Sequence, residues 1–137
     1  MMHLLDTSVF LPAIYAGHSE HKNARAWFDK NKHQGWGISA ETYLGTMRLL
    51  MNPAVMGSNI LSIVQAIDAI DDTLGGEHPG RLIFASQKPN RALFAKAQGH
   101  KQVMDIWQVQ MARQENYKLA TSDAGTLSDW PDDTVKV

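Results

Sequence analysis

Two short runs of strand-forming residues each end beside a carboxylate flanked by hydroxyl groups. Residues 2–5 lead into Asp6-Thr7-Ser8, and Lys118–Thr121 leads into Ser122-Asp123. Such a run, stopped by small polar residues, reads as a buried strand entering a turn. Three more strands are expected: a very short one at Ile38-Ser39 behind the turn Gly35-Trp36-Gly37, one at residues 81–85, and an edge strand at residues 134–137. Helical patterns fill the intervals. An apolar stripe of Ala24, Trp27 and Phe28 marks residues 19–31, and Tyr43, Leu44, Met47 and Leu50 mark residues 40–51, stopped by Asn52-Pro53. Ser58 reads as the cap of a third helix with Leu61, Val64, Ile67 and Ile70 or Leu74 inward, closed by Gly75-Gly76. Residues 90–98 and 103–115 complete the set. Strands alternating with helices predict an α/β fold whose sheet is mainly parallel.

The 137 residues suffice for one domain with a real core, and 44% hydrophobic against 20% charged residues marks a globular chain. The absence of cysteine excludes a disulfide framework and a thiolate metal site. The first residues carry no basic segment of a signal peptide, and no apolar run reaches membrane-spanning length, so a cytoplasmic location without membrane association is expected. The net charge of −1 offers no bulk attraction for nucleic acid. Local attraction is available: His18, Lys22 and Arg25 share one helical face, and Lys88, Arg91, Lys96, His100 and Lys101 form a second basic stretch.

In open parallel sheets, sites form at the carboxyl ends of strands. Asp6 and Asp123 are placed that way. Asp105 begins the helix that precedes the second of these strands, and Glu41 begins the helix after Ile38-Ser39. Each has an ordinary reading. Asp6 and Asp123 suit turns, Glu41 suits a helix dipole, and Asp105-Ile106-Trp107-Gln108 resembles a capping box with Met104 and Val109 as its staple. Together, converging carboxylates suit Mg²⁺ or Mn²⁺, hard cations that prefer oxygen and can promote phosphodiester cleavage. A phosphotransfer domain of the dehalogenase type would need an acid two residues after Asp6, where Ser8 stands. His18 and His21, three apart, lack a third ligand. The tryptophans read as core or interface.

Five segments in order resemble PIN-domain ribonucleases, in particular VapC-type toxins of toxin–antitoxin pairs. They are Leu4-Leu5-Asp6-Thr7-Ser8-Val9; His18-Ser19-Glu20-His21 followed by Ala24 and Trp27; the stretch from Arg48-Leu49-Leu50 through Asn52-Pro53-Ala54-Val55-Met56; the eighteen-residue interval from Asp105 to Asp123; and Leu119-Ala120-Thr121-Ser122-Asp123. The resemblance covers nearly the whole chain. It implies one PIN domain over residues 1–137, with a twisted parallel sheet between helices. It implies an endoribonuclease using Mg²⁺ or Mn²⁺ held by Asp6, Asp105 and Asp123, with Glu41 as a further acid. Arg48, Lys22, Arg25, Thr7 and Ser8 would contact RNA phosphates. It also implies a protein antitoxin and a homodimer; the apolar third helix, residues 60–74, is a candidate interface and equally a candidate for core. Two positions depart from the family pattern. Tyr43 occupies the second acid's position, five before Arg48, while Glu41 lies seven before; Met104 stands where a Thr commonly precedes the third acid. Two residues along a helix turn a side chain by about 200°, so Glu41 serves only if its helix starts differently. The alternative reading is a PIN scaffold that binds RNA or a partner and cuts poorly.

Overall fold

The computed structural model describes all residues 1–137. Five strands form one sheet: β1 (His3–Leu5), β2 (Trp36–Ser39), β3 (Arg81–Ile83), β4 (Lys118–Thr121) and β5 (Thr134–Lys136). Their order is β3-β2-β1-β4-β5 and every pairing is parallel, so the expected α/β, PIN-like sheet is present. The chain builds outward from β1 to β3, then returns to lay β4 on the other side of β1. That reversal opens a crevice at the carboxyl ends of β1 and β4, the place where parallel sheets collect ligands.

The pleat divides the core in two. Leu5 and Ala120 pack on one face with Val9, Phe10, Phe28, Trp36 and Ile70, while Leu4 and Leu119 pack on the other with Ile106, Val109, Met111 and Trp130. The first face is covered by α1 (Thr7–Ile14), α2 (His21–Asn31), α3 (Ala40–Leu50) and α5 (Ile63–Leu74), the second mainly by α7 (Val103–Glu115). Each fully buried Leu or Phe here contributes about 1.5–3 kcal/mol relative to exposure. Gly37 permits close packing of β2 on β3, because a Cβ there would lie 2.7 Å from the Arg81 carbonyl oxygen. No single helix is long and apolar enough to cross a membrane.

Several expectations need correction. Residues 7–8 begin a helix, not a loop: α1 follows β1 directly, and Pro12 inside it disguises the pattern. Asp123 likewise opens a helix, α8 (Ala124–Asp129). The short helices α4 (Pro53–Met56) and α6 (Arg91–Phe94) complete the set, the latter shorter than residues 90–98, and β3 stops at Ile83 rather than residue 85. The cap of α5 is Ser62, not Ser58, with a capping box to Gln65, so Ala66 and Ile70 face inward and Val64 is exposed. The buried face of α3 is Thr42, Thr46 and Leu50, and Leu44 points outward.

Candidate active site

Asp6 leaves β1 in an extended conformation and caps α1, its Oδ1 accepting from Thr7 N at 2.9 Å. Its Oδ2 accepts from the Ser8 hydroxyl at 2.8 Å and from the Thr121 hydroxyl at 2.9 Å. Thr121 is fully buried at the end of β4 and its oxygen accepts from Asp123 N at 3.1 Å. Ser122 N donates to Ser8 Oγ at 3.2 Å, closing the bridge between the two strand ends. Asp123 caps α8, its Oδ2 accepting from Thr126 N at 2.8 Å and Thr126 Oγ1 at 2.7 Å. Those two donors hold its carboxyl below the usual carboxylate range. Residue types expected of simple turns are here helix caps that aim carboxylates at the sheet edge.

Asp105 reaches the same edge from α7, whose amino end lies there because the helix runs against the strands. It is the third residue of the helix and caps nothing; Gln102 occupies the cap position. The capping-box reading therefore fails, and so does the staple, since Met104 is exposed. Burial pushes the Asp105 carboxyl up, and the negative charges of Asp123 and Asp6 push it further. A cavity of about 300 Å³ is lined by Asp6, Thr7, Glu41, Arg48, Asp105 and Gln108, among others. A second depression of about 200 Å³ adjoins it through Asp105 and carries Asp123.

Glu41 lies on the cavity wall. The helix α3 starts at Ala40, capped by the Ser39 hydroxyl on Thr42 N at 3.1 Å, which puts Glu41 in the first turn as expected. Tyr43 faces away and donates to Asp71 at 2.8 Å; burial first, then that carboxylate, pushes its hydroxyl up to about 12. Thus the carboxylate displaced in sequence faces the cavity, while the tyrosine at the family's acid position ties α3 to α5. Two buried acceptors on this wall, Glu41 Oε2 and Gln108 Oε1, have no partner. An unpaired buried acceptor costs about 1–3 kcal/mol, more if charged.

Among the expected phosphate contacts, Arg48 and Thr7 line the cavity and Ser8 bonds to Asp6. Lys22 and Arg25 are on α2, outside both acidic depressions; Arg25 pairs with Asp29. His18 and His21 are engaged locally, with Glu20 N and the Pro12 carbonyl respectively. Of the second basic stretch, Lys88, Arg91 and Lys96 line a cleft of about 1000 Å³ on the outer side of α7, which no carboxylate lines. Thr121, Thr126 and Gln108 are the site residues that sequence reasoning passed over. Only Thr121 left a trace, as a hydroxyl beside Asp123.

No family model matches the chain. Ribonuclease VapC38 of Mycobacterium tuberculosis is 27% identical to it over 128 residues, covering 93% of this chain and 89% of that protein. The chain is a distant relative of the VapC-type ribonucleases. The family that the sequence motifs resemble is the one the comparison returns.

The donors suit a divalent cation: hard oxygens, an Asp105 carboxyl pushed up by burial and then by the charges of Asp123 and Asp6, and an unpartnered Glu41 oxygen. No three carboxylate or imidazole side chains stand close enough to cage an ion by themselves. Mg²⁺ does not demand such a cage, since it usually keeps several waters and takes one or two carboxylates.

Proposed function

We propose that the chain is a Mg²⁺- or Mn²⁺-dependent endoribonuclease, a single PIN domain over residues 1–137, acting as the toxin of a toxin–antitoxin pair. The observation that carries the reading is the convergence of Asp6, Glu41 and Asp105 on one cavity, with Asp123 in the depression that adjoins it. Kinship with a protein named as a ribonuclease supports it. Asp6, Asp105 and Asp123 would hold the cation, with Glu41 as the further acid. The bound cation would activate water and neutralise developing charge on the phosphate.

The chain's own residues supply the rest. Ser8 and Thr121 fix the Asp6 carboxylate, and the Thr126 donors keep Asp123 ionised. Arg48 on the cavity rim offers its guanidinium to a phosphate, which it can grip through two N–H groups. Thr7 and Ser8 are the nearby hydroxyls; Lys22 and Arg25 serve only a strand that extends beyond the cavity. Unpaired RNA is the expected substrate, because grooves of helical RNA offer side chains little sequence information.

The decisive experiment incubates purified, antitoxin-free chain with RNA and Mn²⁺. Cleavage that disappears with EDTA and with Asp6→Asn supports the reading; no metal-dependent cleavage sinks it. A protein antitoxin is expected to cover the acidic cavity. Homodimerisation is expected through the exposed apolar groups of the α4–α5 region, including Val55, Ile60, Ile63 and Val64.

A second reading has one observation in its favour: no three acids are near enough to cage an ion. On that reading the chain binds RNA or a partner without efficient cleavage. Mn²⁺ would then bind weakly, and Asp6→Asn would leave the cellular phenotype unchanged.

A further inference from the structure

Gln108 is a buried polar side chain on a helix whose buried neighbours are apolar. It is only 5% exposed, and its helix neighbours Ile106, Val109, Met111 and Ala112 are all buried. Its Nε2 donates to Thr42 Oγ1 at 2.5 Å, and the Ser39 hydroxyl donates to the same oxygen at 3.2 Å. That network fixes the amide, yet Oε1 is left buried without a partner. Glu41 Oε2, on the same cavity wall, is in the same condition. Arg48 stands on the rim and donates to neither oxygen. A leucine of similar size would fill the space at position 108 without an unsatisfied acceptor, so packing alone does not account for glutamine there.

Two buried acceptors on residues that line one cavity call for donors. A protein hydroxyl or amide would have to come from elsewhere in the chain, and none reaches them. Water held by a divalent cation is a pure donor on its outer side and a strong one, because the cation acidifies it. Mg²⁺ retains several such waters, which lets a site work through acceptors one shell away from the ion. It also removes the need for three carboxylates in direct contact, which this cavity lacks.

We propose that Gln108 is a positioning residue for a hydrated divalent cation, its Oε1 accepting a hydrogen bond from cation-held water alongside Glu41 Oε2, while Asp6 and Asp105 supply the balancing charge. The inference rests on the metal-dependent reading of the cavity and adds a residue to it.

The test compares the full chain with Gln108→Leu and Gln108→Glu. Mn²⁺ binding is followed by the loss of its free-ion electron paramagnetic resonance signal, and thermal melting is followed in EDTA. Gln108→Leu is expected to melt at or above the wild-type temperature and to bind Mn²⁺ about tenfold or more weakly, the range seen when outer partners are removed. Gln108→Glu keeps an acceptor and is expected to bind Mn²⁺ at least as tightly as wild type. Wild-type Mn²⁺ affinity in Gln108→Leu overturns the proposal, whatever its melting temperature. Loss of affinity in Gln108→Glu equal to that in Gln108→Leu also overturns it. Absence of Mn²⁺ binding by the wild type is a different failure: it removes the metal reading of the cavity, and this inference with it.

Discussion

The Thr121 hydroxyl donates to Asp6 Oδ2 at 2.9 Å, joining the ends of two neighbouring parallel strands across 115 positions of sequence. The same oxygen accepts from Asp123 N at 3.1 Å, so one buried threonine sets the relative position of two of the proposed metal-binding acids. Thr121→Val keeps the shape and removes both bonds. Expected is a loss of about 1–3 kcal/mol in urea denaturation and a fall of about 10–100-fold in Mn²⁺-dependent cleavage. Undiminished cleavage would show that the bridge does not organise the site.

Asp105 carries the pH prediction. Burial and the charges of Asp123 and Asp6 raise its pKa above the usual 3.8, so the folded chain holds this proton at pH values where the unfolded chain has lost it. Its effect on stability therefore falls as pH rises from 3.8 through the folded value, and is a constant penalty above that. Asp105→Asn is expected to raise the metal-free melting temperature at pH 7 and to leave it near wild type at pH 3.5. Asp123 has the opposite sign: its lowered pKa stabilises the fold above 3.8, and that support is lost as pH falls through the folded value. In wild type, Mn²⁺ affinity should weaken as pH drops through the raised Asp105 pKa, where proton and cation compete.

Glu41 and Tyr43 should separate cleanly. Glu41→Gln is expected to weaken Mn²⁺-dependent cleavage at least tenfold, because it neutralises an acid on the cavity wall. Tyr43→Phe removes the bond to Asp71 that ties α3 to α5. It should cost about 1 kcal/mol in denaturation and leave cleavage within twofold. The reverse result, with Tyr43→Phe inactive, would return the catalytic role to the tyrosine's position.

Arg48 should report on the phosphate backbone. Binding of an unstructured RNA by an Asp6→Asn chain should show a salt slope that drops by about 0.7 when Arg48 is changed to alanine, the value for one phosphate contact on a single strand. An unchanged slope would place the backbone elsewhere, with the cleft at Lys88, Arg91 and Lys96 the next place to look.

The exposed apolar side chains of the α4–α5 region bear on assembly. Ile63 and Val64 are 52% and 61% exposed at the start of α5. Sedimentation of Ile63→Asp/Val64→Asp is expected to give a monomer where the wild type gives a dimer. A wild type that sediments as a monomer at tens of micromolar would remove this face from consideration.

Much of the fold was legible because its signals are local. The runs ending near Asp6 and Asp123, the stripe of Ala24 and Phe28, and the apolar α7 pattern each depend on residues close in sequence. The errors also have local causes. The helix α1 is apolar nearly all round and contains Pro12, so it shows neither a period nor an uninterrupted helical composition. The outward turn of Leu44 and Val64 reflects which neighbour each helix meets, and periodicity alone does not specify that. At Asp105, a capping pattern and a site acid use the same residue type at the same place, so the sequence left both readings open.

The sequence by itself determined the α/β alternation, the spacing of Asp6, Asp105 and Asp123 that makes them the proposed acid set, and the resemblance those motifs carry. These are properties of short segments and of their order along the chain. Only the tertiary structure decided that Glu41 rather than Tyr43 faces the cavity, that Thr121 joins Asp6 to Asp123, and that Gln108, in the lining of the same cavity as Asp6 and Glu41, is left with an unpaired oxygen. The physical reason is that these depend on where α3 begins, on which strands become neighbours, and on how α7 lies against α3. Each is fixed by packing between segments tens of residues apart, which no local pattern encodes.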